Sequence, residues 1–62
     1  MNISVGNFVL VNHNKGHEWL FVEDVDTEDN ILWTSDPDGG DWEIDFGQVE
    51  AVGKSVKELE NA

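Results

Sequence analysis

Residues 30–46 read Asn30-Ile31-Leu32-Trp33-Thr34-Ser35-Asp36-Pro37-Asp38-Gly39-Gly40-Asp41-Trp42-Glu43-Ile44-Asp45-Phe46, and they decide the fold. On the second arm, Trp42, Ile44 and Phe46 alternate with Asp41, Glu43 and Asp45. A period of two sorts apolar from charged side chains only on a strand, where successive residues point to opposite faces. Pro37-Asp38-Gly39 fits a type I turn whose following glycine takes the left-handed conformation, the usual three-residue hairpin loop. The stretch is therefore expected to form a β-hairpin. Trp42, Ile44 and Phe46 should face a core, and Asp41, Glu43 and Asp45 should face water.

Upstream, residues 5–12 hold the run Phe8-Val9-Leu10-Val11, and residues 18–25 hold Trp19-Leu20-Phe21-Val22. Both runs are rich in strand-forming residues and apolar on both faces. Such a strand is either sandwiched in the fold or offers one face to a partner. Glu23-Asp24 before Val25 breaks strict alternation, which predicts a bulge or a sharp bend. Residues 12–17, Asn12-His13-Asn14-Lys15-Gly16-His17, read as a polar loop. Residues 26–30 read as a turn whose Asp and Asn side chains bond their own backbone. Downstream, Gly47-Gln48 marks a break. Val49-Glu50-Ala51-Val52 is a short closing strand, entered through a single helical turn or directly, and Gly53 ends it. From Lys54 the character changes: Ser55 and Glu58 have capping-box spacing, and Val56 and Leu59 share a helical face. A nine-residue tail is too short for a stable isolated helix. It is expected to be frayed or to form one helical turn.

Five short strands in 62 residues predict an all-β fold, with residues 1–53 as one barrel-like domain and residues 54–62 as a tail. The order Val5-Gly6-Asn7, Val9, Val11, then Trp19, Val22 and Val25, then Ile31 and Trp33, then Gly39-Gly40, Trp42 and Ile44, and last Val49 and Val52 resembles the SH3-like small β-barrels. Within them it is most similar to the Tudor and KOW-type layout. The resemblance covers about fifty residues and implies a five-stranded SH3-like barrel, a fold that hosts many functions. It also implies two ligand classes to be tested against the residues. Tudor-type barrels hold methylated Lys or Arg in an aromatic cage drawn from the loop after the first strand and the turn between the third and fourth. Those places here hold His13-Asn14 and Pro37-Asp38-Gly39. With no aromatic in the turn, Trp33 and Trp42 read better as core, or as flanking residues, than as an intact cage. KOW-type barrels bind RNA or RNA polymerase, and here the charge argues against RNA.

That charge is −11, from fourteen Asp and Glu against three Lys and Arg. Between positions 18 and 50 there are twelve acidic residues and no basic one. Nucleic-acid binding rests on Lys and Arg neutralising phosphates, so no direct nucleic-acid contact is expected. The same field keeps the chain soluble and away from anionic membranes. Cysteine is absent, which removes disulfides and thiolate metal sites. The first residues lack the basic and apolar regions of a signal peptide, and no run approaches a membrane span, so a cytoplasmic protein is expected.

Site chemistry is sparse. His13 and His17 lie in a loop, where four-residue spacing does not place them on one face, so no metal is expected. Residues 36–41 resemble a calcium loop only superficially, lacking its length and terminal Glu. Ser4, Thr27, Thr34, Ser35 and Ser55 lie in no recognisable nucleophile setting. So small a fold also leaves little room for a deep pocket of roughly 300 Å³ or more. No enzymatic activity and no cofactor are expected. Two binding functions remain. The first is a protein-interaction module using an apolar-aromatic patch of Phe8, Leu10, Trp19 and Phe21 with an acidic rim. Its partner would be a basic protein or a second copy of the chain, unless the tail covers the patch. The second is an inhibitor that mimics nucleic acid through an acidic surface of Glu23, Asp24, Asp26, Glu28, Asp29, Asp36, Asp38, Asp41, Glu43 and Asp45.

Overall fold

A computed structural model describes residues 2–13 and 16–54. It is all-β: β1 (Phe8–His13), β2 (Gly16–Asp26), β3 (Ile31–Ser35), β4 (Asp41–Asp45), a single 3₁₀ turn (Phe46–Gln48) and β5 (Val49–Gly53). The strands form one antiparallel sheet in the order β4-β3-β2-β1-β5, with β4 and β5 at its edges. Val9, Val11, Leu20, Val22 and Leu32 are fully buried, joined by Ile44 and Val49. Ile3, Val25, Trp42, Phe46 and Val52 pack around that cluster. Ile44 of edge strand β4 and Val49 of edge strand β5 belong to the same buried cluster, so the sheet curls over its own inner face.

Two bulges make the roll possible, and both answer a spacing in the sequence. Val22 and Val25 both face inward although they stand three apart. The register shift between Val22 and Asp24 absorbs the extra residue, leaving Glu23 and Asp24 both exposed. Val49 and Val52 repeat the pattern. The β1–β5 register shifts so that Leu10 opposes Ala51 and Val11 opposes Val49, with Glu50 as the extra residue.

The β3–β4 hairpin has the expected loop. Gly39 N donates to Asp36 O at 3.0 Å, Asp36 N donates to Gly40 O at 2.9 Å, and Gly39 carries a φ of 89°. The β2–β3 turn is also as expected: the Asp26 carboxylate accepts from Glu28 N and Asp29 N, and Asn30 closes it at a φ of 57°.

Two boundaries differ from expectation. Val5 is not in a strand; it is 61% exposed in a turn in which Ser4 O accepts from Asn7 N, and β1 starts only at Phe8. The polar loop expected over residues 12–17 is mostly ladder, with Asn12 opposite His17 and His13 opposite Gly16. Polar side chains do not prevent pairing at the end of a hairpin, where both faces meet water. The predicted tail lies outside the described residues except for its first residue, the exposed Lys54.

Candidate interaction surface

Strand alternation gives the sheet an inner face and an outer face, and cross-strand register assembles the outer one into rows. On β1, burying Val9 and Val11 turns Phe8 and Leu10 outward; on β2, burying Leu20 and Val22 turns Trp19 and Phe21 outward. Register then places Phe8 opposite Phe21 and Leu10 opposite Trp19. One row runs Gly53–Phe8–Phe21–Ser35–Asp41 across all five strands, and the next runs Ala51–Leu10–Trp19. All four residues of the expected apolar patch thus lie on one surface. The Phe8 and Phe21 rings meet edge to face, 5.4 Å between centroids at 66°, a geometry aromatic quadrupoles favour. Phe21 is 38% exposed, whereas Phe8, Leu10 and Trp19 are half-buried. Phe8, Trp19, Phe21, Ser35, Asp36 and Pro37 line a shallow depression of about 200 Å³.

The other half of the outer face has different chemistry. Its rows are Asp24–Trp33–Glu43 and Asp26–Ile31–Asp45. Trp33 is 46% exposed. Glu23, Trp33, Thr34, Asp41, Trp42 and Glu43 line a second depression of about 460 Å³. That volume exceeds what was expected of so small a fold, because the space is an open trough on the sheet surface and not a deep cavity.

The two tryptophans of the hairpin therefore take different roles. Trp42 packs against the core, and its Nε1–H donates to Asp36 Oδ2 at 2.7 Å. Thr34 Oγ1 donates to Trp42 O at 2.8 Å, satisfying a buried hydroxyl. Trp33, one residue before Thr34, points outward.

Asp36 is a correction to the expected acidic coat. It is buried, and its carboxylate is occupied: Oδ1 accepts from Asp38 N at 2.9 Å and Gly40 N at 2.8 Å, while Oδ2 takes the Trp42 indole. Three N–H donors and removal from water make it a structural group. The Asp36-Pro37-Asp38-Gly39 spacing carried the signal, since an Asp before such a turn commonly accepts its amides. Asp24, Asp26 and Asp45 also bond local backbone, Asp45 by capping the 3₁₀ turn through Gly47 N at 2.8 Å. Glu23, Glu28, Asp29, Asp38, Asp41 and Glu43 project into solvent.

His17 Nε2 and Glu50 Oε2 form a 2.6 Å pair, with side chains 58% and 49% exposed. The β5 bulge delivers Glu50 to it. Among the described residues, no three or more His, Cys, Asp or Glu side chains converge as metal ligands, and no helix is long and apolar enough to cross a membrane.

Comparisons of the chain with protein families, with curated proteins and with solved structures return no match.

Proposed function

We propose that the chain is a small SH3-like binding module, not an enzyme, that docks an apolar segment of a basic protein onto Phe8, Leu10, Trp19 and Phe21. The observation that carries this reading is their convergence: four large apolar side chains from two strands share one outward surface beside a depression. The inner face already supplies the core, so folding does not require aromatic residues there. Aromatic side chains grouped on a surface are the usual energetic centre of an interface. Charge selects the partner. Two copies at −11 each repel, whereas a basic chain is steered to the acidic rim. Five short antiparallel strands rolled around one core support the SH3-like reading.

Selection of peptides from a random library against the full chain tests this. The expected winners combine two or three large apolar residues with flanking Lys or Arg, and they lose binding to the Phe21→Thr protein. Winners without basic residues, or binding indifferent to Phe21→Thr, would overturn it. Sedimentation of the free chain should show a monomer; a stable dimer would make a second copy the occupant.

Nucleic-acid mimicry is the second reading, favoured by Asp41, Glu43 and Asp45 lining up outward along edge strand β4, about 7 Å apart at strand spacing. It requires that the partner be displaced by excess DNA or RNA and that binding weaken steeply with salt.

A further inference from the structure

The Trp33 trough is lined by different residues from the depression beside the apolar patch. Folding leaves nearly half of Trp33 uncovered: its neighbours Leu32 and Thr34 are buried at 0% and 1%, while Trp33 itself is 46% exposed. The surroundings are specific. Register puts Asp24 of β2 on one side of Trp33 and Glu43 of β4 on the other. The β2 bulge turns Glu23 outward as well, and Asp41 stands one row away. Three acidic residues from the two flanking strands, Glu23, Asp41 and Glu43, thus line the trough beside Trp33, Asp24 being engaged by Val25 N, and the sequence from 18 to 50 supplies no Lys or Arg to answer them. Trp42 forms a further wall, held in place by its bond to Asp36.

We infer that this trough seats one cationic side chain, the guanidinium of an arginine on a partner protein, stacked on Trp33 and paired with Glu43 and Glu23. An indole face attracts a cation through its quadrupole, and adjacent carboxylates strengthen the attraction through charge-assisted hydrogen bonds. Arginine fits better than lysine. Its planar group stacks on the ring while its edge presents N–H donors to carboxylates on both sides, whereas an ammonium is a compact and strongly hydrated charge. The trough, about 460 Å³, accommodates a side chain and its flanking backbone.

Titration of the ¹⁵N-labelled full chain with N-acetylarginine amide at low salt tests the site, with the N-acetyllysine and N-acetylcitrulline amides as parallel probes. Citrulline keeps the shape of arginine and removes its charge. The expected result is a saturable shift of the Trp33 indole N–H and of the Glu23 and Glu43 amides, half-complete at millimolar arginine. Lysine should bind several-fold more weakly, and citrulline about tenfold more weakly or not at all. Glu43→Gln, an isosteric change on the exposed face, should weaken arginine several-fold while the spectrum stays dispersed. Trp33→Leu should abolish the saturable shift at Glu23 and Glu43. Equal response to citrulline, tighter binding of lysine, or shifts no larger at Trp33 than at Glu28 and Asp29 in the β2–β3 turn would each overturn the proposal. Signals of Phe8 and Trp19 report the apolar patch separately, so either site can fail without the other.

Discussion

The inner and outer faces of this sheet are built from neighbouring residues and obey different rules. Inward, Val9, Val11, Leu20, Val22 and Leu32 are aliphatic, fully buried and close-packed. Outward, Phe8, Leu10, Trp19, Phe21 and Trp33 are mostly aromatic and only partly covered. Aliphatic residues fill the narrow interior of a rolled five-stranded sheet, where a change of one methylene is felt. Aromatic residues on the outer face stay partly open, Phe21 at 38% and Trp33 at 46% exposure. Stability therefore resides on the inner face, and the recognition proposed above uses the outer one, separated from it by the thickness of a strand.

The comparison breaks most visibly at Leu20. Leu20→Ala should cost about 2–5 kcal/mol from lost burial and a residual cavity. A chain of this length has a total stability of roughly 3–9 kcal/mol, so urea unfolding should show a partly or wholly unfolded protein. The adjacent outward residue sharpens the contrast. Phe21→Thr keeps a strand-forming residue and loses the edge-to-face contact with Phe8, for about 1 kcal/mol.

Between these lies the Asp36 network, which joins the hairpin loop to Trp42. Asp36→Ala leaves the Trp42 indole and two amides without their acceptor and should cost about 2–3 kcal/mol, with a change in Trp42 fluorescence. Gly40→Ala should act on the same network more gently, by about 1–2 kcal/mol. A Cβ there would stand 2.6 Å from Asp36 Oδ2 and push the carboxylate off its donors. A Gly40→Ala protein as stable as the wild type would show that the carboxylate moves freely and does not hold Trp42.

Electrostatics should contribute smaller effects. The exposed acids repel, so the melting temperature should rise by a few degrees as ionic strength approaches about 0.15 M. A fall would mean that favourable pairing dominates the field. The smallest effect is expected at His17. His17→Gln should change stability by no more than about 0.5 kcal/mol, because its pair with Glu50 is largely exposed.

Much of the inner face was legible in the sequence, and the outer face only partly. Alternation from Asp41 to Phe46 oriented β4 because its two faces differ in polarity. The Val22–Val25 spacing announced the bulge because Glu23 and Asp24 are charged. Residues 8–11 and 19–22 carry no such contrast: register groups Phe8 with Phe21 and Leu10 with Trp19 on one face, and only the burial of Val9 and Val11 shows that this face points out. Asp36 reads as coat in the sequence because composition does not distinguish a carboxylate that faces water from one that accepts a turn's amides. The setting of Trp33 was illegible for a further reason. Asp24 reaches its side only because the bulge shifts the register by one residue.

The most direct test measures stability and peptide affinity on the same Phe21→Thr protein, using the peptide selected against the unaltered chain. The division between the two faces predicts a loss of only about 1 kcal/mol in urea unfolding, together with at least a tenfold weaker dissociation constant. An unfolding cost matching that of Leu20→Ala, or an unchanged affinity, would contradict it.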